Sequence, residues 1–338
     1  MKAVVFHEYG GLDKLSYEDV EMPKVKHGEV LLRVKASALN HIDIWGRMGG
    51  VPLPHISGSD IAGEVVEPDD ENRFQIGDKV IVFPAISCGR CEPCIHNKPT
   101  QCAIRQLIGY HTDGGYAEYV KVPANNLFPL PLNLSFEEAA ALPLSASTAW
   151  HMLVTKGEVK PTTTVLIHGA GSGVSTYAIQ IGKLFGAKVI ATTSSDEKAR
   201  KAFDIGASNV INYKDCNVAE EVMSITKGKG VDLVIDHVGA ATFNISLNSL
   251  RRGGKIVLAG VTSGKEMKID LQHLYREEVI IEGSYLFERG EFSSVMEMVQ
   301  ERRLKPIVSE VFQLKDASKA QQAMEEAKHF GKLILNNN

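Results

Sequence analysis

The 338-residue chain contains no apolar run close to the ~20 residues needed to cross a bilayer, so no helical membrane anchor is expected. It also lacks an excess of positive charge. Its 37 Lys and Arg stand against 41 Asp and Glu, for a net charge of -4, and the longest basic groups, Arg251-Arg252 and Arg302-Arg303, are isolated pairs. A nucleic-acid or anionic-membrane partner needs clustered cations to neutralise phosphates, so neither is expected. The opening MKAVVF has no charged-then-apolar leader, and a cytoplasmic location is the expectation. No low-complexity segment is present. At 44% hydrophobic and 23% charged, the composition is that of a globular protein of about two domains.

Cysteine is scarce, five in all, yet four fall in one stretch: Cys88, Cys91, Cys94 and Cys102 in CGRCEPCIHNKPTQC. The C-x2-C-x2-C-x7-C spacing supplies four thiolates that one loop can wrap around a tetrahedral zinc, leaving no open coordination position. Such a site, spanning about residues 86–104, would staple a loop and do no Lewis-acid chemistry. Two disulfides are the alternative, disfavoured in a reducing compartment. Cys216 stands alone and is expected to be inert.

Residues 1 to about 144 read as short strands with turn punctuation, for example EVLLRVKA and GEVVE. From about residue 160 the pattern becomes strand, glycine turn and helix in repetition, with six continuous apolar strands between Thr164 and Ser284. Helices covering both faces of a parallel sheet produce that pattern, so an α/β doubly wound domain is expected. The tail reads as two helices and a last strand, GKLIL, returning to the first domain. The expected domains are therefore 1–144 with 284–338, and 145–283.

The first strand-to-helix turn of the second domain, HGAGSGVST, places Gly169, Gly171 and Gly173 beside Ser172 and Val174, where bare backbone and a helix N-terminus suit a pyrophosphate. At the end of the second strand, where an Asp or Glu would bind a ribose 2'-hydroxyl, the chain has Thr192, Thr193, Ser194 and Ser195, with Lys198 and Tyr213 close by. Hydroxyls and a cation suit a 2'-phosphate, so NADP(H) is expected over NAD(H). Val238, Gly260 and Val261, after later strands, complete the expected cofactor-binding set.

The motifs KAVVF, HISGSDIAGEVVE, DGGYAEYV, EEAAALPLSASTAW, DHVG, GGKIVLAG and FGKLIL, in this order and with the four-cysteine lobe, resemble the medium-chain dehydrogenase/reductase superfamily of zinc alcohol dehydrogenases and quinone oxidoreductases. The resemblance implies a GroES-like β-rich catalytic domain beside the Rossmann domain, with the active site in the cleft between them. In the zinc alcohol dehydrogenases the catalytic zinc is held by Cys, a His-Glu pair and Cys; the matching positions here are Asn40, Ser59-Asp60 and Leu144. Amide, hydroxyl and isobutyl groups are poor or impossible zinc ligands, so a catalytic zinc is not expected. In this the chain resembles the quinone oxidoreductases, which share the Asn and the Ser-rich segment, although most of them lack the cysteine lobe.

Without a Lewis acid the acceptor must delocalise the arriving charge itself, as quinones and α,β-unsaturated carbonyls do. Asn40 is the expected oxyanion donor, with His41 and Asp43 beside it as further catalytic candidates; Asn40 as a plain turn residue and His41 as a surface histidine are the alternatives. Two other functions stay open: an alcohol or aldehyde dehydrogenase with an unorthodox metal site, for which His41, Asp60 and His151 are candidates, and a non-catalytic NADPH-binding protein. A small carbonyl or quinone substrate and a homodimer or homotetramer are expected.

Overall fold

The computed structural model describes residues 1–337 except 72 and 97. In chain order the first part comprises β1 (Lys2–Val5), β2 (Ser16–Asp19), β3 (Glu29–Ala38), α1 (His41–Met48), β4 (Asp60–Glu67) and β5 (Lys79–Val82). It continues through β6 (Ala85–Ile86), α2 (Glu92–Ile95), β7 (Gln106–Leu107), β8 (Tyr119–Pro123), β9 (Leu127–Pro129), α3 (Phe136–Ala140) and α4 (Pro143–Trp150). The second part alternates: β10 (Thr164–Ile167), α5 (Gly173–Leu184), β11 (Lys188–Thr193), α6 (Asp196–Ile205), β12 (Asn209–Asn212), α7 (Val218–Ile225), β13 (Val231–Asp236), α8 (Ala240–Ser249), β14 (Leu250–Leu258), α9 (Leu271–Arg276) and β15 (Ile280–Gly283). The tail adds α10 (Arg289–Gln300), β16 (Val308–Gln313), α11 (Ala317–Glu325) and β17 (Lys332–Asn336).

Two compact units result: residues 1–144, 287–301 and 306–338 form one, and 145–286 with 302–305 form the other. The expected boundary at 283/284 shifts. Ser284 N–H extends the β14–β15 ladder by donating to Leu258 O (2.8 Å), and Lys305 N–H donates to Gln180 Oε1 (3.0 Å), so both segments belong to the second unit. The tail also holds a strand that the sequence reading did not include, β16, which pairs in parallel with β17.

The first unit is built on a seven-stranded sheet in the order β16-β17-β3-β4-β5-β9, with β8 also on β3. One edge of β3 is shared: β8 covers Glu29–Arg33 and β17 covers Ala36–Ala38. Val30, Leu32, Val34, Ile61, Val65, Val80, Val82, Val120 and Val122 form one core cluster, β-branched but for Leu32 and suited to a pleated buried surface. The second unit carries a six-stranded, all-parallel sheet in the order β12-β11-β10-β13-β14-β15. Leu166, Ile190, Val234 and Ile256 on its strands pack against Val218, Val222, Phe243 and Leu247 of α7 and α8. This strand order reverses direction at β10, and its carboxyl ends are where such sheets bind ligands.

Candidate functional site

Three arrangements carry the chemistry. The first is the cysteine lobe, which rises from the two-residue ladder of β6 and β7. Cys91 caps α2, Cys88 precedes it, Cys94 lies within it, and Cys102 follows a 3-10 turn and is fully buried. All four thiols are free, which removes the disulfide alternative. Their sulfurs stand 3.9 Å (Cys88–Cys94), 3.4 Å (Cys91–Cys94) and 3.6 Å (Cys88–Cys102) apart, and all lie within 4.8 Å of one another. A tetrahedron with Zn–S legs of ~2.3 Å has edges of about 3.8 Å, so the donor set fits a structural zinc. Backbone N–H groups of Arg90 and Cys91 draw the Cys88 thiol down to about 6, which favours the thiolate a metal requires. Among the described residues this is the group of His, Cys, Asp and Glu side chains close enough to share an ion.

The second arrangement is the phosphate turn between β10 and α5. Gly169 adopts φ +62°, a conformation that disfavours any side chain, and its N–H donates to Thr192 Oγ1 (3.1 Å) while Ala170 N–H donates to Thr192 O (2.7 Å). Ser172 caps α5, accepting from Ser175 N–H (3.0 Å). Gly171 and Gly173 flank it and Val174 lies in the first turn, so the expected phosphate residues form one loop at a helix N-terminus. Two histidines hold that loop, His168 buried and His237 half-buried. His237 Nε2 lies 2.8 Å from Ser175 Oγ, 3.1 Å from Ser172 Oγ and 3.1 Å from His168 O. His168 Nε2 meets Ser246 Oγ (2.9 Å), which donates to Asp236 Oδ2 (2.8 Å). Burial pushes His168 down to about 4, so it is neutral near pH 7.

At the carboxyl end of β11, Thr193 is buried and its Oγ1 has no hydrogen-bond partner, an orphaned polar atom where a cofactor hydroxyl or phosphate would sit. Ser194 follows it, Ser195 caps α6 by accepting from Lys198 N–H (3.3 Å), and Tyr213 N–H donates to Thr193 O (3.0 Å) with its ring half exposed. Thr193, Ser194, Lys198 and Tyr213 thus share one corner, with desolvation lowering the Lys198 ammonium. Val238 follows β13, and Gly260 and Val261 follow β14; Ser263 N–H donates to Val238 O (2.9 Å), drawing these ends together. The residues present therefore fit a nicotinamide dinucleotide.

The third arrangement lies in the first unit, where a catalytic zinc would be. Gly58, at φ +106°, has no room for a side chain against Tyr116 and Gly115, and so delivers Ser59 and Asp60 into the interior. Asp60 is fully buried; its Oδ1 accepts from Leu144 N–H (2.7 Å) and its Oδ2 from Asn40 Nδ2 (2.9 Å). Lys332, the first residue of β17 and only 3% exposed, donates to Asn40 Oδ1 (2.6 Å), Leu39 O (2.7 Å) and Asp60 Oδ2 (3.0 Å). The Asn40 oxygen is thus taken by an ammonium, Leu144 offers only a backbone donor, and Ser59 contributes one buried, unpartnered hydroxyl. This donor set does not fit a catalytic zinc.

The three catalytic candidates fare differently. Asn40 sits in the cluster just described. His41 opens α1 beside it and is half-buried. Asp43 departs from the expectation: it is 1% exposed, and its carboxylate accepts from Asn40 N–H (2.8 Å), Tyr116 Oη (3.0 Å) and Gly58 N–H (3.3 Å). Desolvation lifts it to about 7 against those donors. It ties α1 to the Gly58 loop, with its oxygens turned to these buried donors. His151 lies in a π turn after α4 in the second unit, and Cys216 is exposed with Sγ toward Asn212 O. Lys332 and the His168–Asp236 chain were not singled out from sequence. A lysine inside the apolar strand GKLIL is the signal that would have found the first.

A parallel six-stranded sheet with a fitted dinucleotide turn in one unit, and a β-rich unit with a four-thiolate lobe in the same chain, define a nicotinamide-dependent oxidoreductase. Comparison with known proteins agrees. Residues 26–132 match the family model for the alcohol dehydrogenase GroES-like domain and residues 173–301 that for zinc-binding dehydrogenase. The crystal structure of an NAD-dependent alcohol dehydrogenase is similar over the whole of both chains, at 43% identity and a TM-score of 0.96. Crotonyl-CoA carboxylase/reductase of Cereibacter sphaeroides is 31% identical, over 88% of this chain and 77% of that protein. Quinone oxidoreductase of Pseudomonas syringae pv. Tomato DC3000 is 31% identical over 99% of both chains, with a TM-score of 0.86. The chain belongs to the medium-chain dehydrogenase/reductase superfamily and is an oxidoreductase of that family acting on small molecules. No helix among the described residues is long and apolar enough to cross a membrane.

Proposed function

We propose that this enzyme transfers hydride from NADP(H), in preference to NAD(H), to quinones or α,β-unsaturated carbonyls, without a catalytic zinc. The observation that carries the reading is the Asn40–Asp60–Lys332 cluster at the position where family members with a catalytic zinc hold it. When bound, the nicotinamide supplies the hydride. The chain's own part is to hold the acceptor and stabilise charge arriving on its oxygen. One Asn40 amide proton is held by Asp60 at 2.9 Å; the other meets only Ala38 O at 3.4 Å, beyond good hydrogen-bond length, and is the donor we assign to the substrate oxygen. A conjugated acceptor takes hydride at carbon and spreads the charge, so one neutral donor suffices where an alkoxide would need several kcal/mol more. Relatives named quinone oxidoreductase and crotonyl-CoA carboxylase/reductase support this acceptor class.

The cofactor preference rests on Thr193, Ser194, Lys198 and Tyr213 at the end of β11, where residues 192–195 are hydroxyl-bearing and include no carboxylate, with the orphaned Thr193 hydroxyl as an open partner. We place the enzyme in the cytoplasm and expect a homo-oligomer. β15 is an edge strand of its sheet that exposes Ile280 and Ile281, with Leu271 and Tyr275 also exposed nearby in sequence. Unpaired strand backbone flanked by apolar side chains suits a second copy of the chain.

The test is steady-state oxidation of NADPH and NADH over a panel of quinones, enones and enoyl thioesters, with simple alcohols in the reverse direction and metal analysis of the same preparation. Conjugated acceptors with NADPH and one zinc per chain are expected. The second reading, an alcohol dehydrogenase, is favoured by the 43% identity to a protein of that name and by the unused Ser59 hydroxyl. Robust ethanol or benzyl alcohol oxidation with two zincs per chain would establish it in place of the first.

A further inference from the structure

We infer that Lys332 is a positioning residue: its ammonium fixes which end of the Asn40 amide is presented and polarises the amide N–H. This rests on the proposed role of Asn40. The ammonium has three donors, and the structure gives each one an acceptor: Leu39 O, Asn40 Oδ1 and Asp60 Oδ2. It has no proton left for a substrate, so it acts through Asn40. Only the amide oxygen can accept from an ammonium, which forces Nδ2 toward Asp60 and rules out the flipped amide. The 2.6 Å contact is charge-assisted and withdraws electron density through the amide, making the Nδ2 protons better donors, as chained hydrogen bonds do in a low-dielectric interior.

The arrangement is not a generic ion pair. Asp60 is 0% and Lys332 3% exposed, so both charges are desolvated, and such a pair persists only when every lone pair and proton is satisfied. Leu144 N–H on Asp60 Oδ1 completes that set. Four segments distant in sequence thus converge on one cluster: the residues just after β3, the start of β4, the start of α4 and the start of β17.

Lys332→Met removes the charge and keeps much of the volume; Lys332→Arg keeps a donor cation. Two readouts separate this role from a merely structural one. In protein labelled with 15N-asparagine, the Asn40 side-chain resonance, identified by its loss in Asn40→Ala, should shift in Lys332→Met and be largely restored in Lys332→Arg. In turnover, Lys332→Met should lower kcat roughly tenfold or more, with NADPH affinity nearly unchanged. Asn40→Ala/Lys332→Met should be no slower than Asn40→Ala alone. If Lys332→Met does not fold, Lys332→Gln, which removes the charge and leaves Asp60 on the Asn40 amide, should shift the same resonance. An unmoved Asn40 resonance, or kcat losses that multiply in the double variant, overturns the inference. A shifted resonance in an enzyme that reduces no conjugated acceptor leaves the positioning role standing and removes the substrate reading instead.

Discussion

Replacing Cys94 by serine removes one corner of the four-thiolate cage, and the cost follows from geometry. Cys88 and Cys102 close a loop of about 15 residues, whose ends a bound zinc would hold together; cross-linking a loop of that length is worth about 3 kcal/mol in chain entropy. The lobe is otherwise held by the two-residue ladder of β6 and β7 and by a hydrogen bond from Thr100 Oγ1 to Glu288 Oε1 (2.9 Å). For a unit of this size each kcal/mol corresponds to about 2–4 °C in Tm, giving an expected drop of about 6–12 °C. Zinc per chain by elemental analysis, melting by calorimetry and kcat at a temperature below both transitions are the measurements. Cys94→Ser should lose zinc and melt early while kcat below the transition stays close to wild type, because the cage has no open position for chemistry. Cys216→Ser, at an exposed thiol outside the cage, is the control. A wild-type protein that holds no zinc after mild chelator washing, with all four thiols reactive, would refute the reasoning, as would an unchanged Tm in a zinc-free Cys94→Ser protein.

Lys198→Ala should weaken NADPH and leave NADH almost untouched in fluorescence titrations; equal losses would show that Lys198 does not read the 2'-phosphate. His168, lowered to about 4, stays neutral in the fold while an unfolded histidine takes up a proton near 6.5, so its contribution is lost as pH falls from about 6.5 to 4, by an order of 3 kcal/mol. Melting of His168→Gln across that range should show a shallower acid loss than wild type, and parallel curves would contradict this. Asp43, raised to about 7, has the opposite sign: on its account stability declines as pH rises from about 4 to 7, so Asp43→Asn should steepen the acid loss. Ile281→Lys on the β15 edge should shift the oligomer toward monomer in light scattering; an unchanged mass would remove that face as the interface.

The α/β unit was legible because its strands, buried on both faces, are continuous apolar runs that local periodicity exposes. The cysteine cage was legible because its four donors lie within a span of 15 residues. β16 was missed for the converse reason: VSEVFQ is an exposed edge with little apolar signal, and its identity as a strand comes from pairing with β17. Asp43 read as a catalytic neighbour of Asn40 because sequence shows adjacency and not which way a carboxylate turns; its partners Gly58 and Tyr116 lie 15 and 73 residues away. The lysine inside the apolar strand GKLIL was the one local sign of Lys332; its partners were beyond local reading, since its contacts to Asn40 and Asp60 span 292 and 272 residues.

The placement of β17 also dictates an order of assembly. All residues of the second unit precede Pro306, so that unit is complete in sequence while the first unit still lacks a strand from the interior of its sheet. A chain emerging from the ribosome can therefore close its nucleotide-binding half early, whereas the other half waits for residues 332–336 to slot between β16 and β3. The same late strand delivers Lys332. Until it arrives, Asp60 lacks the Lys332 ammonium and the Asn40 oxygen lacks its donor, so on the role proposed for this cluster a product stalled before β17 would hold cofactor without carrying out the reaction.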